Sequence, residues 1–160
     1  MALYSVNTIL GGTEQVCTTT PGKTLLYAYA VTGATTLRRG WIKELEVGAS
    51  GAPNSTDCTI QWTLTRATTG DGTSTTLTPA PTEVNDAAAL LTYKGNFTVE
   101  PTTFTASLLY LALNQRNSQR VIYEDGKELV IPAVNNAGIA GRAYSATYAA
   151  TTGMQWYVRE

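Results

Sequence analysis

Alternation with a period of two runs through most of the chain. Between Thr56 and Thr69, Cys58, Ile60, Trp62 and Leu64 fall on one side, while Thr59, Gln61, Thr63 and Thr65 fall on the other. A strand with one face in a core and one in water has this pattern. Ala2–Ile9 alternates more weakly before Gly11-Gly12 and reads as an edge or arm strand. Gln15–Thr18 and Thr24–Val31 follow, separated by the turn residues Pro21-Gly22. Leu37–Val47 mixes Arg38, Arg39, Lys43, Glu44 and Glu46 with Leu37, Trp41, Ile42, Leu45 and Val47. A helix is compatible with that mixture, but the β-branched and aromatic residues between two glycines favour a strand.

The second half continues in the same way. Thr69–Pro81 reads as a loop or ragged edge hairpin, and Asp86–Leu91, an aspartate followed by good helix formers, as the only helical turn or two. Thr102–Leu113 is apolar on both parities in its second half, as expected of a strand at the centre of a sandwich or under a partner subunit. Arg120–Glu124 and Glu128–Ile131 flank Asp125-Gly126, a hairpin signal. Pro132–Gly141 reads as a loop, and Arg142–Tyr148 and Met154–Arg159 as a closing pair. The expected fold is all-β: one antiparallel sandwich domain over residues 1–160, a jelly roll, with eight to ten short strands, at most one short helix and an N-terminal arm at residues 1–12.

Composition sharpens this picture. Charged residues are 14% of the 160, apolar residues 43%, and 28 residues are threonine, a composition that collapses and leans towards strands. Eleven basic and twelve acidic side chains leave a net charge of −1, so there is no positive field for nucleic acid or an anionic membrane. No stretch reaches the ~18 apolar residues of a membrane helix. Histidine is absent, which removes the commonest general base and metal ligand. MALYSVNTIL lacks the marks of a signal peptide, so the expected site of synthesis is a reducing cytoplasm, with Cys17 and Cys58 as buried thiols.

Candidate chemistry is sparse. Glu44 and Glu46 would share a strand face at a separation of ~7 Å, compatible with a glycosidase pair but equally with a solvated face balanced by Arg38, Arg39 and Lys43. Asp71 and Asp125 sit in Gly-containing turns that lack the ligand spacing of a calcium loop. Asn54 and Asn96 match the glycosylation sequon. Trp41, Trp62 and Trp156 could form a sugar-binding platform, although Trp62 fits a core position better. The polar run Asn114 to Arg120 is either a solvated loop or a protein contact. No catalytic, metal or cofactor site is expected.

Four segments carry a family likeness: Val99-Glu100-Pro101-Thr102, Leu111-Ala112-Leu113-Asn114-Gln115-Arg116, Gly126-Lys127-Glu128-Leu129-Val130-Ile131-Pro132-Ala133 and Asn136-Ala137-Gly138-Ile139. In order and spacing, roughly residues 95 to 142 resemble head decoration, or cement, proteins of tailed phages, a resemblance that implies a jelly-roll-like sandwich. The first half shares only a Thr/Ala/Gly-rich β character. The resemblance implies a structural virion protein on the outer capsid surface, not an enzyme, with the major capsid protein and its own copies as partners. A homo-oligomer is expected, a trimer in the first place with two-fold association as the open alternative, and with Leu109, Leu111 and Leu113 as surplus apolar surface. The candidate capsid or subunit contacts are Leu3, Tyr4 and Val6 of the arm, Leu109 and Leu111, the loop residues Asn114, Gln115, Arg116 and Arg120, and Trp156. A carbohydrate-binding module and a tail or fibre component are the alternatives.

Overall fold

In the computed structural model, which describes residues 1–9, 14–17, 22–31, 37–68 and 72–160, the threonine-rich alternation becomes thirteen strands and no helix. They are β1 (Leu3–Asn7), β2 (Gln15–Cys17), β3 (Lys23–Tyr29), β4 (Gly40–Ser50), β5 (Thr59–Ala67), β6 (Thr73–Leu77), β7 (Ala80–Pro81), β8 (Thr92–Val99), β9 (Phe104–Asn114), β10 (Ser118–Ile122), β11 (Leu129–Ile131), β12 (Gly138–Ser145) and β13 (Ala150–Arg159).

Two antiparallel sheets pack face to face as a β-sandwich. The first runs β10-β4-β13-β1-β7, with β11 also on β4 and β2 also on β13; the second runs β6-β8-β3-β12-β5-β9. Within them, β1, β13, β4 and β10/β11 lie side by side in one sheet, and β3, β12, β5 and β9 in the other. That is jelly-roll order, two interleaved Greek keys. β6 and β8 extend the second sheet beyond β3, and β7 extends the first beyond β1.

The core lies between the sheets. Ile42, Leu45 and Val47 of β4 and Met154, Trp156 and Val158 of β13 meet Leu26 and Ala28 of β3, Ile60, Trp62 and Leu64 of β5, and Ile139 and Ala143 of β12. The predicted inner face of Thr56–Thr69 is therefore present, except that Cys58 precedes the strand and is only half-buried. A second, smaller cluster of Tyr27, Tyr29, Ala67, Phe97 and Ala140, with Phe104 against it, has formed outside the main core. Tyr27 and Tyr29 stack with centroids 5.0 Å apart. Asn96 at φ 51° shifts the parity of β8, so that Tyr93 joins the main core and Phe97 the outer cluster.

Several elements differ from the sequence reading. Asp86–Leu91 is not helical: it is irregular chain held by other elements. Tyr4 Oη donates to the Ala87 carbonyl (2.6 Å), and the Glu160 carboxylate accepts from the Leu90 and Leu91 amides (2.7 and 3.2 Å). β9 is not central but the edge of its sheet, paired only with β5. Asp125-Gly126 does not close a hairpin. β10 and β11 are successive pieces of one edge strand along β4, Ser118 to Ile122 facing Gly48 to Glu44 and Leu129 to Ile131 facing Ile42 to Gly40, with the turn bulging between them. Arg142–Tyr148 and Met154–Arg159 are not a pair either, since β12 and β13 lie in opposite sheets. Thr69–Pro81, read as a loop or ragged edge hairpin, holds two short edge strands, β6 on β8 and β7 on β1, which do not pair with each other; the expected loop at Pro132–Gly141 contains the start of β12, and β8 falls where no strand was expected. Asp71 and the Pro21 half of the Pro21-Gly22 turn lie outside the described residues.

Candidate interaction surface

On the outer face of the seven-stranded sheet, antiparallel register sets side chains in rows across the strands. One row holds Ile122, Glu44, Tyr157 and Ser5; the next holds Arg120, Glu46, Gln155 and Asn7; the third holds Ser118, Gly48 and Gly153. Arg120 is turned away from its own row partner Glu46 and binds Glu44 through both Nε and Nη2, the latter at 2.8 Å. Glu44 in turn raises the Arg120 guanidinium pKa further, through that hydrogen bond and its charge. The glycines of the third row leave an open trough of about 280 Å³ walled by Glu46, Gln155, Asn7, Ile9 and Glu14.

At the other end of the same face, where β4 begins, Met1, Arg38, Arg39, Trp41 and Glu160 line a second cleft of about 440 Å³. Trp41 lies half-buried with the Arg159 guanidinium 5.7 Å from its ring centroid. Arg159 also donates to Glu128 (2.8 Å). Glu128, although a carboxylate, is almost fully buried. It accepts from Lys43 (3.2 Å) and the Gly126 amide (2.6 Å), and Lys43 also pairs with Asp125. A hydrogen bond from its own backbone amide, then those from Lys43 and Gly126, hold its carboxyl below the usual range against the opposing effect of burial. Asp125 is thus an ion-pair partner at a turn with Gly126 at φ 86°.

The structure separates the sequence-selected contacts into exposed and internal groups. Tyr4, Val6 and Trp156 lie in the core, with Trp156 fully buried, so none offers side-chain surface. Leu3 is half-exposed on β1, which is hydrogen-bonded on both sides, to β13 and, at Tyr4 and Ser5, to β7. Residues 3–7 are thus part of the sheet and not a free arm; residues 10–12 lie outside the described residues. Leu109 and Leu111, with Leu113, point into the sandwich and pack on its core. They stay half-exposed because β9 has no outer neighbour, so they are not a surplus outward face. Arg116 and Arg120 are exposed but paired, with Asp57 (3.4 Å) and Glu44. Asn114 is half-buried, and its Oδ1 accepts from the Arg116 amide (3.0 Å).

Gln115 is the clearest change of role. It is buried, and its Nε2 donates to Asn54 and Thr56 carbonyls and to Asp57 (3.2, 3.3 and 3.3 Å). Its Oε1 accepts from the Asn54 amide (3.1 Å) and the Tyr148 hydroxyl. It clamps the loop before β5 to the end of β9. The Gln115 hydrogen bond, then Arg116, lowers the Asp57 pKa. Nothing in the polar run itself distinguishes this internal clamp from a docking loop.

The other candidates resolve similarly. Trp62 and Trp156 are core residues and Trp41 sits under Arg159, so the three do not share a surface platform. Glu44 is engaged by Arg120, which leaves Glu46 without a free carboxylate partner at its side. Among the described residues no three metal-ligating side chains converge. Cys17 is buried and Cys58 half-buried, both as free thiols; burial pushes the Cys17 pKa up. Compared with protein-family models, with curated proteins and with solved structures, the chain matches none.

Proposed function

We propose that this protein is a decoration, or cement, protein that binds the outer surface of a tailed-phage capsid and stabilises the shell. The observation that carries the reading is what the four family-like segments do in the jelly roll. Each supplies a long-range tie. Glu100 accepts from the Thr24 amide of β3 (2.7 Å). Gln115 clamps the loop at residues 54–57, and Glu128 joins Lys43 to Arg159. Asn136, at φ 60°, takes the Tyr27 hydroxyl on its carbonyl (2.8 Å) and donates its amide to the Ala30 carbonyl (3.1 Å). A likeness built from ties that define this sandwich is a likeness of architecture, in a family whose work is structural.

The alternatives have less to stand on. A carbohydrate module would need aromatic rings on one face, and two of the three tryptophans are in the core. A tail or fibre role would use the same features as a head role. The major capsid protein and further copies of this chain are the partners in this reading, and the virion surface its place of work. The three-fold association expected from Leu109, Leu111 and Leu113 loses that support, since those side chains face inward.

The test is addition of purified protein to undecorated heads. Saturable binding, with a gain in resistance to heat or chelator, is the expected result. Failure to bind heads, together with retention on immobilised glycans, would move the carbohydrate module to first place.

A further inference from the structure

We infer that the outer face of the seven-stranded sheet is a self-association surface, on which two copies stack antiparallel about a two-fold axis. In that arrangement Arg38 and Arg39 of each enter the glycine-floored trough of the other. The inference is independent of the decoration reading, since it concerns what one copy does with another in solution.

The charge inventory carries it. Of the eleven basic side chains, nine have a partner in the fold: a carboxylate, a backbone carbonyl or an aromatic ring. The two with none of these among the described residues, Arg38 and Arg39, are adjacent, exposed and at the mouth of one cleft. Of the described acids, only four lack such a partner. Two, Glu14 and Glu46, wall the trough at the opposite end of the same face. The others, Glu83 and Asp86, lie on the loop beside Tyr4 and pair with neither arginine. Burial raises the Tyr4 hydroxyl pKa most, Glu160 and then Asp86 add to it, and Arg38 opposes them.

The placement suits a two-fold. Arg39 and the trough are separated by about eight residues of β4, or ~26 Å at strand rise, so antiparallel stacking superposes each positive end on a negative one. Midway lies the row of Ile122, Glu44, Tyr157 and Ser5, where Ile122, 64% exposed, stands beside the Arg120–Glu44 ion pair, so the centre would offer one exposed apolar side chain and an internally paired charge between two charged ends. A trough floored by Gly48 and Gly153 has room for a guanidinium where any larger side chain would close it. Five strands at ~4.8 Å spacing and ~26 Å of length cover roughly 600 Å² per copy, the low end for a specific interface, so a micromolar, salt-sensitive dimer follows. The surface is isologous: each copy gives the same patch that it receives.

Sedimentation velocity tests this. The wild-type chain should form dimers at tens of micromolar in low salt, weakening by about tenfold or more between 50 and 500 mM salt. Arg38→Glu with Arg39→Glu should sediment as a monomer, and so should Glu14→Arg with Glu46→Arg, because each then faces a copy of like charge. Mixed one to one, the two variants should recover the dimer, since both ends of the mixed pair are again complementary. All four positions are at the surface, and a melting temperature equal to wild type checks that each variant is folded. A wild-type monomer at 100 μM in low salt, reversed variants that associate like wild type, or a mixture that stays monomeric would overturn the inference. Failure here with binding to heads intact would leave the decoration reading standing, and the converse result would leave the pairing standing.

Discussion

Individual side chains divide into those whose environment follows from the local pattern and those set by a distant partner. Trp62 belongs to the first kind. It alternates with threonines and glutamine, lies 2% exposed, and packs with Ile60 and Leu64 against the opposite sheet. Trp62→Ala should cost about 3–5 kcal/mol in denaturant melts, the usual loss for truncating a large buried aromatic; a loss below ~1 kcal/mol would show that the site collapses around the gap or is not packed as described. Glu128 belongs to the second. The sequence shows an acid after an Asp-Gly turn, and only the fold brings Lys43 and Arg159 to it from strands far away in the chain. Its folded pKa is depressed below the ordinary 4.5. The stability it contributes is therefore complete above the unfolded value and is lost as pH falls through the folded one. Glu128→Gln should lower the urea midpoint at pH 7, and the gap to wild type should close as pH falls below the ordinary carboxyl value and through the depressed folded one. A gap that is constant from pH 7 to pH 3 would mean that the charge on Glu128 contributes nothing. Gln115 is also of the second kind, and this is why a polar run that contains it resembles a docking loop.

Strands were legible where alternation was unbroken, and pairing was not. Thr59–Ala67 and the Gly40–Ser50 strand follow from period-two pattern and β-branched content. Thr92–Val99 does not, because Lys94, Gly95 and Asn96 interrupt the alternation and Asn96, in the left-handed region, reverses which face the next residues take. β9 is apolar on both parities yet lies at an edge; its inward leucines close the seam of the sandwich and its outward Tyr110 is exposed. Hydrophobic content reports burial by any neighbour, so it cannot by itself distinguish a central strand from a well-filled edge. The Asp-Gly turn misled for a related reason: turn chemistry specifies a reversal of direction locally, whereas β4 recruits both flanking segments to the same side. Close approach between elements is equally invisible in sequence. A Cβ on Gly138 would collide with the Ala28 carbonyl and the Tyr29 Cβ of β3. Gly138→Ala should therefore prise β12 from β3 and cost about 1–3 kcal/mol or more, seen as a lowered denaturation midpoint. A substitution that leaves the midpoint unchanged would place that backbone contact further apart.

At the scale of the whole molecule, both sheets draw on one contiguous core, with the Tyr27, Tyr29 and Phe97 cluster as a small outlier on the second sheet. Unfolding should therefore be a single transition, with far-ultraviolet circular dichroism and tryptophan fluorescence changing together; a separate early phase would mean that the sheets melt independently. The fold class was readable from the composition and the spacing of strands, because those set how much apolar surface each segment must bury. The candidate surface was not, because it consists of residues from β4, β10, β13 and β1 brought into rows by register. Register also places β13, the last strand in chain order, at the heart of its sheet, between β1 and β4 and touching β2. On the ribosome, β1 and β4 thus emerge with no partner between them, and Val6, Ile42, Leu45 and Val47 have nothing to cover them from that side until residues 150–159 arrive. The second sheet closes only when β12 has entered between β3 and β5, and the first only after translation has passed through β13, so a message cut short before that strand would yield an open half-sandwich with its apolar face displayed to chaperones and proteases.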